Sequence, residues 1–335
     1  MKTINLARNL LKIPSPSGDE SKLGNYIVKR LKKNFKIKIQ KVNNNFNILA
    51  YVGDPNLILN IHLDTVPNQL NVKEDKNYLY GRGACDAKGP LACMIVAAEQ
   101  AIEQKLTNFG LLFDVEEETN FSGIKKALSL VNPKYVIIGE PTNFKVINKQ
   151  KGLLGVKIIC KGKAAHGSTP EKGISAINRL IEILSKLNKI NFPSGTTLNV
   201  GKIQGGSSIN TVPNYAEAII ELRTTVNNTN ILELLDTIPK KILYSYNPIN
   251  TKTFIKNYKE ISVSYFTEMY FWNKKAKTIV LGPGNPSLAH SDKEKIKKSD
   301  LKKATKIYLK IISTLSLNSK KNISKKAKNG YSKRI

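Results

Sequence analysis

The stretch "LILNIHLDTVPN", residues 57–68, decides how this chain folds. Leu57, Ile58, Leu59 and Ile61 are what the inside of a sheet requires, and then His62 and Asp64 arrive two residues apart. Side chains at i and i+2 of a strand share a face. A strand ending in an imidazole beside a carboxylate suits a metal ligand and the acid that orients it.

Three more short apolar runs lead to polar groups. "GLLFDV", residues 110–115, is followed by Glu116, Glu117 and Glu118. "YVIIG", residues 135–139, is followed by Glu140, and "TIVLGPGNPSLAH", residues 278–290, leads to His290. Continuous runs of this length suit strands of a sheet covered on both faces. Helix candidates lie between them: "LACMIVAAEQAIEQK", with Pro90 near its start, and "SGIKKALSLV". The expected fold is α/β, a mixed, largely parallel sheet with helices on both faces. In such sheets sites form beyond the carboxyl ends of the strands.

The middle of the chain has another rhythm. "LLGVKIICKGKAAH" alternates as a strand does, "GISAINRLIEILSKLNK" has a helical period, "TTLNVGKIQGG" and "NYAEAIIELRTT" are strands again, and "TNILELLDTI" is a helix. That order, β-α-β-β-α, is a small ferredoxin-like α+β layer. The expected division is a catalytic domain in two parts, 1–152 and 256–318, an inserted domain, 153–255, and a flexible basic tail, 319–335.

The chain has 335 residues, 41% of them hydrophobic, enough for two domains. No apolar run is long enough to span a membrane. The first residues read as an amphipathic helix rather than a signal peptide. Three widely spaced cysteines, Cys85, Cys93 and Cys160, give no zinc-finger pattern and suit a reducing, cytoplasmic setting. The net charge is +29. Two readings of it stay open: compositional drift, since Asn and Ile are also abundant, or an acidic partner. No nucleic-acid-binding module accompanies the charge.

Only three histidines occur, His62, His166 and His290. Singly, each would be read as a packed or surface residue; with carboxylates at strand ends they form a constellation. Asp86, in the glycine-rich "YGRGACDAKGPLA", is read as a carboxylate bridging two metals. The adjacent glutamates of "DVEEETN" can divide the roles of metal ligand and general base, and Glu140 offers a further ligand.

Jointly, "HLDTVP", "GRGACDAKGPLA", "EEE" followed by Gly123, "GEPT", "AAHGSTP", "INTVPNYAEAIIELR" and "GPGNPSLAHS" resemble a known family. It is the co-catalytic di-zinc amidohydrolases and peptidases, which include acetylornithine deacetylase, succinyl-diaminopimelate desuccinylase and glutamate carboxypeptidase. The resemblance spans nearly the whole chain and implies a zinc-exopeptidase-like fold with an inserted lid and dimerisation domain. It implies two zinc ions, or cobalt, with Asp86 bridging, His62 and Glu140 completing one site, and Glu118 and His290 the other. Glu117 is then the general base and Asp64 the orienting acid. A glycine five residues beyond the ligand selects Glu118 within the triplet. His166 resembles a histidine that reaches across a homodimer to the scissile carbonyl. Asn210 and Arg223 resemble substrate-holding residues, and Gly282 and Gly284 line the substrate carboxylate. A Thr-Ser-Asp-like segment common in the family is missing from "ISVSYFTEMYFW", which puts substrate selection there in doubt.

Within the family, "DAKGPLA" and "LGPGNPSLAH" look most like the branch releasing lysine or ornithine from the acidic carrier protein LysW. That branch hydrolyses a linear amide bond in lysine or arginine biosynthesis. The alternatives are acetylornithine deacetylase, succinyl-diaminopimelate desuccinylase, a dipeptidase, or an inactive basic binding protein.

Overall fold

The computed structural model describes residues 1–329, with side-chain surroundings through residue 315. The basic tail expected at 319–335 lies outside the residues whose surroundings are described. The chain divides into two compact units: Met1–Asn148 with Thr251–Ile261 and Phe271–Ile335, and Lys149–Asn250 with Ser262–Tyr270.

The first unit is built on a mixed sheet. Seven of its nine strands run in the order Lys36–Val42, Asn45–Val52, Phe109–Asp114, Leu57–His62, Tyr135–Ile138, Lys277–Val280, Val146–Gln150. The four strands from Phe109–Asp114 to Lys277–Val280 are mutually parallel. The neighbours on either side are antiparallel. The Leu57–His62 strand is buried at every residue, as its unbroken apolar run requires. Leu57, Leu59 and Ile61 join the core formed with the helices Lys2–Leu11, Ser21–Leu31, Lys88–Glu103 and Lys298–Asn329. Asn60 points the other way: it donates to Asp114 Oδ2 at 2.9 Å and accepts from the Trp272 indole.

Local sequence explains the helices. In Lys2–Leu11 the buried residues Thr3, Leu6, Ala7, Leu10 and Leu11 follow a helical period. Lys88–Glu103 is buried along most of its length, and its small residues let it lie close to the sheet. A Cβ on Gly139 would sit 2.7 Å from Met94 Cε of that helix.

The second unit is a four-stranded antiparallel sheet, ordered Thr197–Gly205, Tyr215–Thr224, Gly152–Lys161, Lys240–Tyr246. The helices Ala176–Leu187 and Asn228–Leu234 pack on it. The Tyr215–Thr224 strand alternates in burial along its whole length. The last strand, Lys240–Tyr246, completes a βαββαβ order, one element more than the sequence pattern suggests. It is an edge strand, mostly exposed, whose "KKILYSY" carries no clear alternation. Among the described residues no helix is long and apolar enough to cross a membrane.

Candidate active site

Parallel strands bring their carboxyl ends to one side of a sheet. His62 is the last residue of its strand, the glutamate triplet comes after Asp114, and Glu140 lies two residues beyond Ile138. His62 Nε2 lies 3.1 Å from Asp86 Oδ1 and 3.8 Å from Glu140 Oε1. The other oxygen of Asp86, Oδ2, lies 3.4 Å from His290 Nε2, which is also 3.0 Å from Glu118 Oε1. Asp86 thus presents one oxygen to each of two imidazoles, and a different glutamate stands beside each. Ligand atoms cluster within 4.8 Å in three overlapping groups: His62, Asp86 and Glu140; Asp86, Glu118 and His290; His62, Glu117 and Glu118.

Asp64 does more than face His62. The strand ends at His62, so the two are not strand neighbours, and the nearer atom to His62 Nδ1 is the Asp64 carbonyl oxygen, at 3.0 Å. The Asp64 carboxylate is 3.4 Å away. That carboxylate accepts the backbone N–H of Glu117 at 3.1 Å, the N–H of Glu118 at 3.0 Å and the Ser17 hydroxyl at 2.7 Å. It therefore fixes the backbone of the triplet as well as the imidazole. Glu116, in the left-handed region at φ 60°, turns away from the cluster and accepts two bonds from Asn43. A Cβ on Gly123 would lie 2.2 Å from the Val115 carbonyl, so the chain can close behind the triplet only with a glycine there.

The electrostatics suit cations. Burial opposes ionisation of Asp86, but bonds from His290 and His62 outweigh it and hold its pKa below the usual range. Burial likewise opposes a charged His62, yet Asp64 and Asp86 outweigh it and raise its pKa well above normal. Asp86 and Glu118 push His290 up to about 10. Burial, with repulsion from neighbouring acids, raises Glu117 and Glu140 well above the carboxylate range. Five carboxyl groups around two imidazoles repel one another unless protons or cations intervene. Imidazole nitrogens with carboxylate oxygens are a donor set that zinc and similar divalent ions accept.

The remaining predicted residues lie elsewhere. His166 is exposed in the second unit, and its Nδ1 accepts the Ser168 N–H at 3.2 Å, with the Ser168 hydroxyl at 2.7 Å. This leaves Nε2 to carry the proton of the neutral ring. The His166 segment bridges to Thr211, and the Asn210 carbonyl accepts the Gly167 N–H at 2.6 Å, so His166 and Asn210 are neighbours. Arg223 pairs with Glu221 on its own strand. Gly282 and Gly284 serve close packing: a Cβ on Gly282 would be 2.3 Å from the Glu140 carbonyl oxygen, and one on Gly284 2.8 Å from Cys85 Cβ.

Sequence reading missed the supporting residues. Ser17 sits in "SPSGDE", which reads as a surface turn. Glu20, three residues on, is fully buried and accepts the N–H groups of Gly18 and Glu116. Glu294 is one of two acids in the lysine-rich "SDKEKIKK", where a solvated charge is expected, yet it is 1% exposed.

Residues 148–247 match the family model described as a peptidase dimerisation domain. A probable carboxypeptidase of Aspergillus flavus is 30% identical, over 91% of this chain and 88% of its own. Among solved structures, a tripeptidase from Staphylococcus aureus superposes with a TM-score of 0.80 at 20% identity, covering 94% of this chain and 98% of that one. An M20 family metallo-carboxypeptidase from Sulfolobus solfataricus gives 0.77 at 17%, covering 95% and 100%. With this fold and this relative, the chain belongs to the M20 family of peptidases.

Glu20 makes the site's support sensitive to pH. Burial raises its pKa from 4.5 to about 7. Between those values the folded chain binds more protons than the unfolded one. The stabilisation is complete below the unfolded pKa and is lost as pH rises through about 7. Glu20→Gln cannot ionise and removes this slope. The Tm of the native chain, relative to that of Glu20→Gln, should therefore fall between pH 5 and pH 8. A constant difference across that range would show that Glu20 carries no such linkage.

Proposed function

We propose that this chain is a metal-dependent hydrolase of the amide bond to a residue bearing a free carboxylate, acting on C-terminal residues of short peptides or on N-acyl amino acids. The observation that carries the reading is Asp86, with one oxygen toward each of two imidazoles and a separate glutamate beside each. His62, Asp86 and Glu140 would hold one ion, and Asp86, Glu118 and His290 the other. The metallo-carboxypeptidase fold neighbour and the probable carboxypeptidase relative support both the metal and the substrate class.

When bound, the metal pair supplies Lewis acidity and makes a water a better nucleophile near neutral pH. Glu117, its backbone pinned by Asp64, takes a proton from the attacking water and later delivers it to the leaving amine. Its raised proton affinity suits a group that must both take and give. The match to a dimerisation domain supports a homodimer in which His166 serves the second chain's site, its Nε2–H donating to the developing oxyanion. Asn210 and Arg223 would hold the substrate, with the turn at Gly282 and Gly284 facing its carboxylate.

Glu117→Gln keeps the shape of the side chain but removes the proton acceptor. Its kcat should fall by about 10²–10⁴-fold, with metal content by elemental analysis near two ions per chain as in the native protein. Glu118→Gln should instead lose metal. The reverse pattern would overturn the assignment of base and ligand, and native protein that binds fewer than two ions after loading would sink the di-metal reading.

Mixing His166→Ala and Glu117→Ala chains tests the dimer. Each homodimer should be inactive, while a heterodimer contains one site with both residues intact and should recover up to about half of native activity. Verified heterodimers without recovery would remove His166 from the partner's site.

A second reading has its own observation, the +29 charge. It supports an amino acid linked to an acidic carrier such as LysW, attracted at long range. Such attraction is screened over ~10 Å at 0.1 M salt. On this reading kcat/KM for carrier-linked lysine falls steeply with salt, while that for acetylornithine changes little. Equal slopes would leave the charge to composition and the substrate to small peptides and N-acyl amino acids.

A further inference from the structure

The loop that presents Asp86 is held by one carboxylate from a distant part of the chain. Glu294 Oε1 accepts the backbone N–H groups of Cys85 at 3.0 Å and Asp86 at 3.1 Å. Its Oε2 accepts the N–H of Gly83 at 3.0 Å and Nη1 of Arg82 at 2.9 Å. Three backbone donors within four residues converge on it, a concavity of the kind that binds anions. Arg82 is itself buried, and it also donates to the carbonyls of Ser291 at 3.3 Å and Asn68 at 3.2 Å.

Glu294 lies four residues beyond His290, and Ser291 is the very next residue after that histidine. The strand that comes next, Lys295–Lys297, pairs with Tyr78–Tyr80, just before the Asp86 loop. One side chain thus joins the two segments from which Asp86 and His290 project. Neither segment has regular structure at the ligand itself: His290 has φ 61° and closes a turn after the short helix Pro286–Leu288. The 3.4 Å between Asp86 Oδ2 and His290 Nε2 is therefore set by contacts between the loops.

We propose that Glu294 is a positioning residue of the candidate metal centre. It holds the Asp86 backbone so that the carboxylate stands between the two imidazoles, and it ties His290 to the same loop. The proposal rests on the di-metal reading above. Glu294 belongs to none of the three candidate ligand groups; it acts through Asp86 and His290. Replacing partners that orient metal ligands costs about 10–100-fold in affinity.

The test uses the full chain, stripped of metal and titrated with cobalt(II) by calorimetry and visible absorption. Native protein should bind two ions. In Glu294→Gln an amide NH₂ replaces one oxygen and faces two donors. At least one binding step should weaken about 10–100-fold, and the cobalt absorption bands should shift, in protein that still melts cooperatively. A folded Glu294→Gln with native affinities and native bands overturns the proposal. If that variant does not fold, Arg82→Lys decides. It keeps the Glu294 carboxylate but loosens the bond from Arg82 to that carboxylate and the bonds to Ser291 and Asn68, so a smaller weakening in the same direction supports the proposal, and native binding and bands overturn it. Native protein that binds fewer than two ions would instead strike at the di-metal reading, and this inference would fall with it.

Discussion

A buried carboxylate must be hydrogen-bonded on nearly all its lone pairs, or its burial is prohibitively costly. Asp64 meets that requirement by drawing in three parts of the chain: the Ser17 hydroxyl, the backbone of Glu117 and Glu118, and the imidazole of His62. The strand order makes this possible. Leu57–His62 and Phe109–Asp114 are parallel neighbours with His62 opposite Asp114, so the segments leaving the two strands must meet. The Leu63 N–H donates to the Asp114 carbonyl at 2.8 Å, extending the pairing one residue past the strand. His62, Glu117 and Glu118 are then placed by backbone hydrogen bonds rather than by flexible side-chain reach.

The chain also accepts a concentration of negative charge that a folded core ordinarily avoids. Burial and repulsion raise Glu117, Glu118 and Glu140, while Asp86 and Asp64 keep their charge because imidazoles stand against them. Protons and cations compete to supply the counter-charges, so metal loading of such a cluster is coupled to pH.

Much of this is legible in the chain because the parallel sheet writes its site into a simple pattern, short apolar runs each ending in a polar side chain. His62, the glutamate triplet and Glu140 obey that rule, and the structure brings them together with Asp86 and His290. Gly123, five residues beyond Glu118, is required by its approach to Val115. The hidden residues depend on long-range contacts without local periodicity. Glu294 lies 208 residues from Asp86 and resembles any acid among lysines. Ser17 and Glu20 look like turn residues. Strand periodicity puts the Asp64 side chain beside His62, but the strand stops at His62, and the Asp64 carbonyl lies closer to the ring than its carboxylate does. The edge strand Lys240–Tyr246 is hard to read because one exposed edge leaves little reason for apolar residues to alternate.

The thiol beside Asp86 has a practical consequence. Cys85 is fully buried under Glu294, and burial pushes its pKa far above the usual thiol range. Cys93 and Cys160 are also buried and shifted upward. Thiolate, not thiol, reacts with maleimides and iodoacetamides. The native cysteines should thus react slowly with such reagents while the chain is folded, so a single cysteine introduced on an exposed surface could carry a spectroscopic probe without the native ones being removed first.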